Sequence, residues 1–320
     1  MSAPVSPVHR PTGQTFRHEA FFYAGDREFL EGTLGFIREG LTQGEPVMVA
    51  LSAPKIARLR AELGADAGRV RFADMAEIGS NPARIIPAWH DFVGGRPAPD
   101  WPIRGIGEPI WAGRTAAELV ECQRHEELLN LAFADTPAFR LLCPYDTRAL
   151  GPAVIEEARC SHPILVEDRT ERESTDYRGL PAVAAPFDKP LPEPPVAPSE
   201  LAFDIDTLRA VRRMVSRHAA AVGMSTDRTG DLILAVDELA TNSVRHGGGR
   251  GVLSVWHDGS ALICEVRDHG RIDQPLVGRR CPSTDRAGGF GVWLVNQLCD
   301  LVQMRSLCAG NVVRVHMRDA

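Results

Sequence analysis

Asp237-Glu238-Leu239-Ala240-Thr241-Asn242-Ser243-Val244-Arg245-His246 is the stretch on which the reading of this 320-residue chain turns. It reads as one helix in which Glu238 and Asn242, at i and i+4, share a face. At about 100° per residue, Asp231, Ala235 and Arg245 fall near that face. Leu232, Val236, Leu239, Ala240 and Ser243 form the adjoining core stripe. A carboxylate and a carboxamide beside a buried stripe are placed to hold a metal ion and to take a proton. His246 reads as a cap on the helix C-terminus before Gly247-Gly248-Gly249.

Two later stretches add to it. Ala261-Leu-Ile-Cys-Glu-Val-Arg267 alternates like a strand and ends in Asp268-His269-Gly270. Gly288-Gly289-Phe290-Gly291-Val292-Trp293-Leu294-Val295 is a Gly-rich turn opening an amphipathic helix. Taken singly, each has a plainer explanation: a polar helix face, a strand-ending turn, a loop before a core helix. In this order and at these distances they resemble the N, G1 and G2 boxes of the Bergerat (GHKL) ATP-binding fold, over roughly residues 200–320.

The residue types suit nucleotide chemistry. Mg²⁺ prefers hard oxygen ligands such as the Asn242 amide oxygen and keeps several waters. Phosphoryl transfer needs positioning, charge stabilisation and a base that orients the nucleophile; Glu238 is the candidate base. An ionised Asp268 can only accept, which matches the amino group of adenine. Gly288, Gly289 and Gly291 let backbone N–H groups approach phosphates at a helix N-terminus, and the resemblance places Gly270 in the wall of the base pocket. In the short segment 271–287, Arg279, Arg280 and Arg286 are candidates to reach the γ-phosphate, with Arg286 preferred because it lies nearest the Gly turn. Ile272 stands where the G1 box usually has its second glycine, so the turn there must differ.

Composition sets bounds. The length implies two domains, and the net charge of −6 is uneven: residues 201–320 hold 15 Arg and 13 Asp or Glu, leaving −8 for residues 1–200. No basic surplus suggests a nucleic-acid footprint. Lys55 and Lys189 are the two lysines, and neither follows a glycine, so a Gly-Lys-Ser/Thr phosphate loop is absent. No apolar run approaches the roughly 20 residues of a membrane span. Seven cysteines without C-x-x-C spacing, and no secretory signal at the start, point to reduced thiols in the cytoplasm.

Along the chain, residues 1–15 read as a flexible start and 170–200 as a linker, charged and then Pro-rich, holding two domains apart yet joined. Within 16–169, strand-like pieces (19–23, 46–51, 70–72, 139–143) alternate with helix-like ones (27–42, 55–63, 82–92, 116–132, 152–159), which implies a largely parallel sheet with helices on both faces. His18-Glu-Ala-Phe-Phe-Tyr-Ala-Gly-Asp26, Gly40-Leu-Thr-Gln-Gly-Glu-Pro-Val-Met-Val49, Leu142-Cys-Pro-Tyr-Asp146 and Ser161-His162-Pro163 resemble the MEDS sensory domain, related to RecA-like folds without a working phosphate loop. The likeness implies a sensor for a small ligand or signal that it does not name. His18, Cys143, Cys160 and His162 lie near sheet ends. Converged, they would bind metal or sense redox state; otherwise they are core histidines and small buried thiols. The expected fold class is thus α/β and α+β: an N-terminal α/β sandwich with a mostly parallel sheet and a C-terminal Bergerat sandwich over 201–320.

Several proteins use the Bergerat fold, so neighbouring elements must choose among them. A sensor histidine kinase needs a phosphoacceptor on a helical hairpin; His125-Glu126-Glu127-Leu128-Leu129 mimics one but lies inside the first domain. Gyrase-, chaperone- and mismatch-repair-type ATPases need a transducer domain, not expected in a chain ending at Ala320. The remaining domain, with its short lid and Gly-Phe-Gly-Val-Trp-Leu-Val turn, looks like the anti-sigma-factor serine kinases (RsbW type). That resemblance implies ATP and Mg²⁺ as cofactors, a sigma factor and a STAS-domain antagonist as partners, and Ser/Thr phosphorylation of the antagonist. Arg209, Arg212 and Arg213 on the domain's first helix are a candidate basic face for acidic partners, or simply solvated. Homodimerisation is left open. The alternatives are a nucleotide-dependent binding module without kinase turnover and a histidine kinase using His125.

Overall fold

The computed structural model describes residues 16–168, 170–180, 189–282 and 290–318. The N-terminal domain runs β1 (Arg17–Tyr23), α1 (Asp26–Thr42), β2 (Val47–Leu51), α2 (Ala53–Leu63), β3 (Val70–Asp74), α3 (Met75–Ile78), α4 (Ile85–Gly94), β4 (Ile103–Gly107), α5 (Ala116–Ala132), β5 (Phe139–Asp146), α6 (Pro152–Ser161), β6 (Ile164–Glu167) and β7 (Thr170–Glu173). Its sheet has the order β3-β2-β4-β5-β1-β6-β7. All pairings are parallel except β6 with β7. Alternation along β1 feeds both faces: Ala20 and Phe22 join the core under α4 and α5, and Phe21 and Tyr23 join the core under α1 and α2.

β4 lay outside the sequence expectation because Arg104, Gly105 and Gly107 within five residues imitate a loop. Packing explains them. A Cβ on Gly105 would lie 2.8 Å from the Trp89 ring, and one on Gly107 3.0 Å from it. The strand is bare so that the indole of α4 can lie across it.

The C-terminal domain runs β8 (Ser199–Asp204), α7 (Leu208–Ala221), α8 (Thr226–His246), β9 (Arg250–His257), β10 (Ala261–Asp268), α9 (Phe290–Leu298), β11 (Leu301–Leu307) and β12 (Gly310–Arg318). Its antiparallel sheet has the order β11-β12-β10-β9-β8. Leu262, Cys264 and Val266 of β10 and Val313, Val315 and Met317 of β12 face a core shared with α7 and α8. Both domains are therefore α/β sandwiches, the first on a mixed sheet and the second on an antiparallel one. No described helix is long and apolar enough to cross a membrane.

The ends of the segment expected as a linker over 170–200 belong to the two sheets, and its described middle makes contacts. Thr170–Glu173 is β7, and Ser199 already belongs to β8. Arg178 pairs with Glu157 and Glu127. The Pro192 carbonyl accepts from Arg314 Nη2 at 2.9 Å, which lays part of the Pro-rich segment on the second sheet.

The two domains also touch directly, along α5. Glu121, 1% exposed, faces Arg305 of β11 at 2.8 Å, its own helix neighbour Arg124 at 3.1 Å, and Arg279 at 3.9 Å. Arg124 Nη1 donates to the Met304 carbonyl at 3.0 Å. Glu118 pairs with Arg318, Asn81 donates to the Asn296 carbonyl, and Leu276 packs on the N-terminal core. Burial alone would push the Glu121 carboxyl up, but Arg124, Arg305 and Arg279 together hold it below the usual range.

Glu121→Gln keeps the shape and removes the counter-charge of three buried guanidinium groups. It is expected to destabilise the chain by about 3–5 kcal/mol, read by denaturant unfolding, and to speed proteolysis between residues 170 and 200. A loss below about 1 kcal/mol, the scale of an exposed pair, would contradict the interface.

Candidate functional site

Ser225 caps α8, its Oγ accepting from the Arg228 N–H at 3.3 Å. The helix stops at Gly247, and the chain turns through Gly248 and Gly249, both at positive φ. Leu232, Val236, Leu239, Ala240 and Ser243 are buried as the periodicity required, and Ala235 joins them. Glu238 and Asn242 flank this stripe, and both meet the start of α9. A Cβ on Gly291 would lie 2.8 Å from Glu238 Oε2 and 3.1 Å from Asn242 Nδ2. A side chain there would push the Glu238 carboxylate aside, so the carboxylate and carboxamide of one motif and the glycine of another form one wall.

Asp268 closes β10 one residue further round the same helix. Its Oδ2 accepts from Ser243 Oγ at 2.6 Å, and its Oδ1 accepts from the Gly270 N–H at 2.8 Å and from Asn311 Nδ2 at 3.1 Å. A Cβ on Gly247 would come within 2.5 Å of the Asp268 carboxyl carbon. The carboxylate is thus held rigidly as an acceptor. Ser243, read as core, and Asn311, not singled out in the sequence, are its supports. Both are polar residues on buried faces, the signal that marks such roles.

Ile272 replaces the second glycine of the G1 motif at a defined position. Its N–H donates to Ser306 Oγ at 3.0 Å, and its side chain packs on the C-terminal core. Ser306 Oγ in turn donates to Asn311 Oδ1 at 2.9 Å. The altered turn is tied to the same network that fixes Asp268.

Arg279 is a correction. It was a candidate for the γ-phosphate, yet it is 1% exposed and points at Glu121 and the Pro82 carbonyl of the first domain. Arg280 is exposed. Arg286, Gly288 and Gly289 lie outside the described residues. Arg209, Arg212 and Arg213 are exposed on α7, and Arg212 pairs with Asp237 at 2.8 Å. For Mg²⁺, the Asn242 amide oxygen is a hard donor that leaves the remaining positions to waters and phosphate oxygens, so the residue fits that ion.

In the first domain, His18, Cys143 and His162 do converge, with Glu126 of α5 as an unforeseen fourth member. Cys160 lies outside the group. Burial, then the Glu126 carboxylate, holds the Cys143 thiol well above its ordinary range. Cys122 and Cys264 are simpler cases, buried thiols pushed up to about 12 by desolvation.

Two families match the chain. Residues 17–163 match the family described as "MEDS: MEthanogen/methylotroph, DcmR Sensory domain", and residues 201–317 match "Histidine kinase-like ATPase domain". Comparison with curated proteins returned no match.

Ser243→Ala removes the hydroxyl that donates to the Asp268 carboxylate. It is expected to lower stability by about 1.5–3 kcal/mol, seen as a lower urea midpoint at unchanged slope. An unchanged midpoint would mean that Asp268 is not held from this side.

Proposed function

From a chain that joins an N-terminal MEDS sensory domain to a C-terminal GHKL ATP-binding domain, we propose a signal-responsive anti-sigma factor that phosphorylates a serine or threonine of a STAS-domain antagonist. The observation that carries the reading is the meeting of Glu238, Asn242 and the Gly291 backbone beside a fixed Asp268. In this reading Asp268 accepts from the adenine amino group and the Gly270 backbone lines the base pocket. Asn242 supplies a side-chain oxygen to Mg²⁺, which when bound neutralises charge on the phosphates. The Gly288–Gly291 backbone approaches the phosphates, and Arg286 offers charge to the γ-phosphoryl group. Glu238 orients the substrate hydroxyl and takes its proton as the new O–P bond forms and ADP leaves.

The interface supports sensory control. Arg279 belongs to the segment between the Asp268 turn and α9, and it is anchored to Glu121 of the sensory domain. A shift of α5 would move Arg279 and the described residues beside it. Arg209, Arg212 and Arg213 remain the proposed docking face for the sigma factor or antagonist.

A nucleotide-dependent binding module without turnover is the second reading, favoured by Ile272 in the altered turn. The histidine-kinase reading has less support: His125 is 1% exposed in the middle of α5, its imidazole pulled down to about 3 by burial.

Transfer of labelled γ-phosphate to a co-encoded STAS protein tests the proposal. Glu238→Ala should lower the transfer rate by about 10²–10⁴-fold with nucleotide affinity largely kept, whereas Asn242→Ala should weaken Mg²⁺-dependent binding. Equal transfer by Glu238→Ala would remove the base assignment. Nucleotide binding without transfer by the unaltered chain would leave the binding module.

A further inference from the structure

His18, Glu126, Cys143 and His162 come from β1, α5, β5 and the residue after α6, and they meet at one fully buried point. One potential ligand atom from each lies within 4.8 Å of all the others. His18 Nε2 stands 3.0 Å from Glu126 Oε2 and 3.4 Å from Cys143 Sγ. Cys143 Sγ and His162 Nε2 are 3.5 and 3.4 Å from that same oxygen.

Both rings are held from behind. His18 Nδ1 faces Asn130 Oδ1 at 3.2 Å, and Asn130 Nδ2 donates to the Ser161 carbonyl at 2.8 Å. His162 Nδ1 faces the Ala158 carbonyl at 2.8 Å. An imidazole whose Nδ1 donates to a fixed oxygen keeps its Nε2 lone pair for a cation, the outer-shell arrangement that orients metal-binding histidines. Meanwhile the buried His162 Nε2, one of the four converging atoms, has no hydrogen-bond partner. A cluster that served only to fill the core would satisfy such atoms.

We propose that these four side chains form a closed tetrahedral site for a divalent transition ion of the zinc class. The ligands are His18 Nε2, His162 Nε2, Cys143 Sγ and Glu126 Oε2. Bonds of about 2.0 Å to nitrogen and oxygen and about 2.3 Å to sulfur give ligand–ligand edges of roughly 3.3–3.5 Å. Four of the six spacings are already 3.0 to 3.5 Å, and all six lie within 4.8 Å, so small side-chain shifts close the tetrahedron. On metal entry the Cys143 S–H bond breaks, its proton goes to water, and the thiolate sulfur bonds the ion. Thiolate and carboxylate then balance the dication, so the buried site is electrically neutral. A thiolate with two imidazoles selects the zinc class over Mg²⁺ or Ca²⁺. The ligand Glu126 lies on the same helix as Glu121, so the ion would brace the element that contacts the ATP domain.

The test uses the intact chain, stripped with a chelator under reducing conditions and refilled with Zn²⁺ or Co²⁺. The expected result is one ion per chain and, with Co²⁺, a near-ultraviolet sulfur-to-metal absorption that Cys143→Ser abolishes. His162→Gln should weaken uptake by tenfold or more, about 1.4 kcal/mol. Failure of the intact chain to take up either ion stoichiometrically would overturn the site, as would the same absorption in Cys143→Ser or undiminished affinity in His162→Gln. Reversible oxidation of Cys143 without metal uptake would overturn it in favour of a redox cluster.

Discussion

The structure depends on the buried charges of α5. Glu118, Glu121, Arg124, His125, Glu126 and Glu127 are all buried on one seventeen-residue helix, a place where unpaired ions are untenable. Glu118 is answered by Arg318, Glu121 by Arg124, Arg279 and Arg305, and Glu127 by Arg178, while Glu126 faces the His18 and His162 rings. Apart from Arg124 of the helix itself, these partners come from the first domain, the segment after β7, and the second domain. The helix is stable inside the protein only if all of them assemble around it, which makes it both the keel of the sensory domain and its contact with the ATP domain.

The proposed nucleotide site rests on a different principle. There the polar groups are few and are positioned by glycine and by hydrogen bonds from neutral donors. Gly291 lets a backbone approach Glu238 and Asn242, Gly247 gives room to Asp268, and Ser243 and Asn311 hold the carboxylate still. Rigid acceptors and bare backbone are what recognition of a base and its phosphates demands. Arg279 joins the two systems, because its chain position belongs to the ATP domain and its charge to α5.

How much was legible in the sequence follows from the range of the interactions. α8 and β10 showed themselves through local periodicity, and spacing singled out Glu238, Asn242 and Asp268 as candidates on them. The span of α5 was also read correctly, since propensity and the Thr115–Glu118 capping box set its ends. Its burial was not readable: it has no apolar stripe, and its partners lie up to 200 residues away. For the same reason the contacts of Arg178 and Pro192, and the turn of Arg279 toward α5, could not be read from the sequence. β4 escaped because glycines serving Trp89 look like a loop. In the His–Cys cluster, three members were named, but Glu126 was hidden inside an ordinary-looking charged run.

Hydrogen exchange on the intact chain, with and without Mg²⁺ and ATP, tests most directly whether one helix serves both systems. The account predicts slower exchange in residues 238–247 and 266–272 and, across the interface, in residues 116–126. Protection confined to the C-terminal domain would contradict coupling through α5, and no protection in either region would contradict the nucleotide site itself.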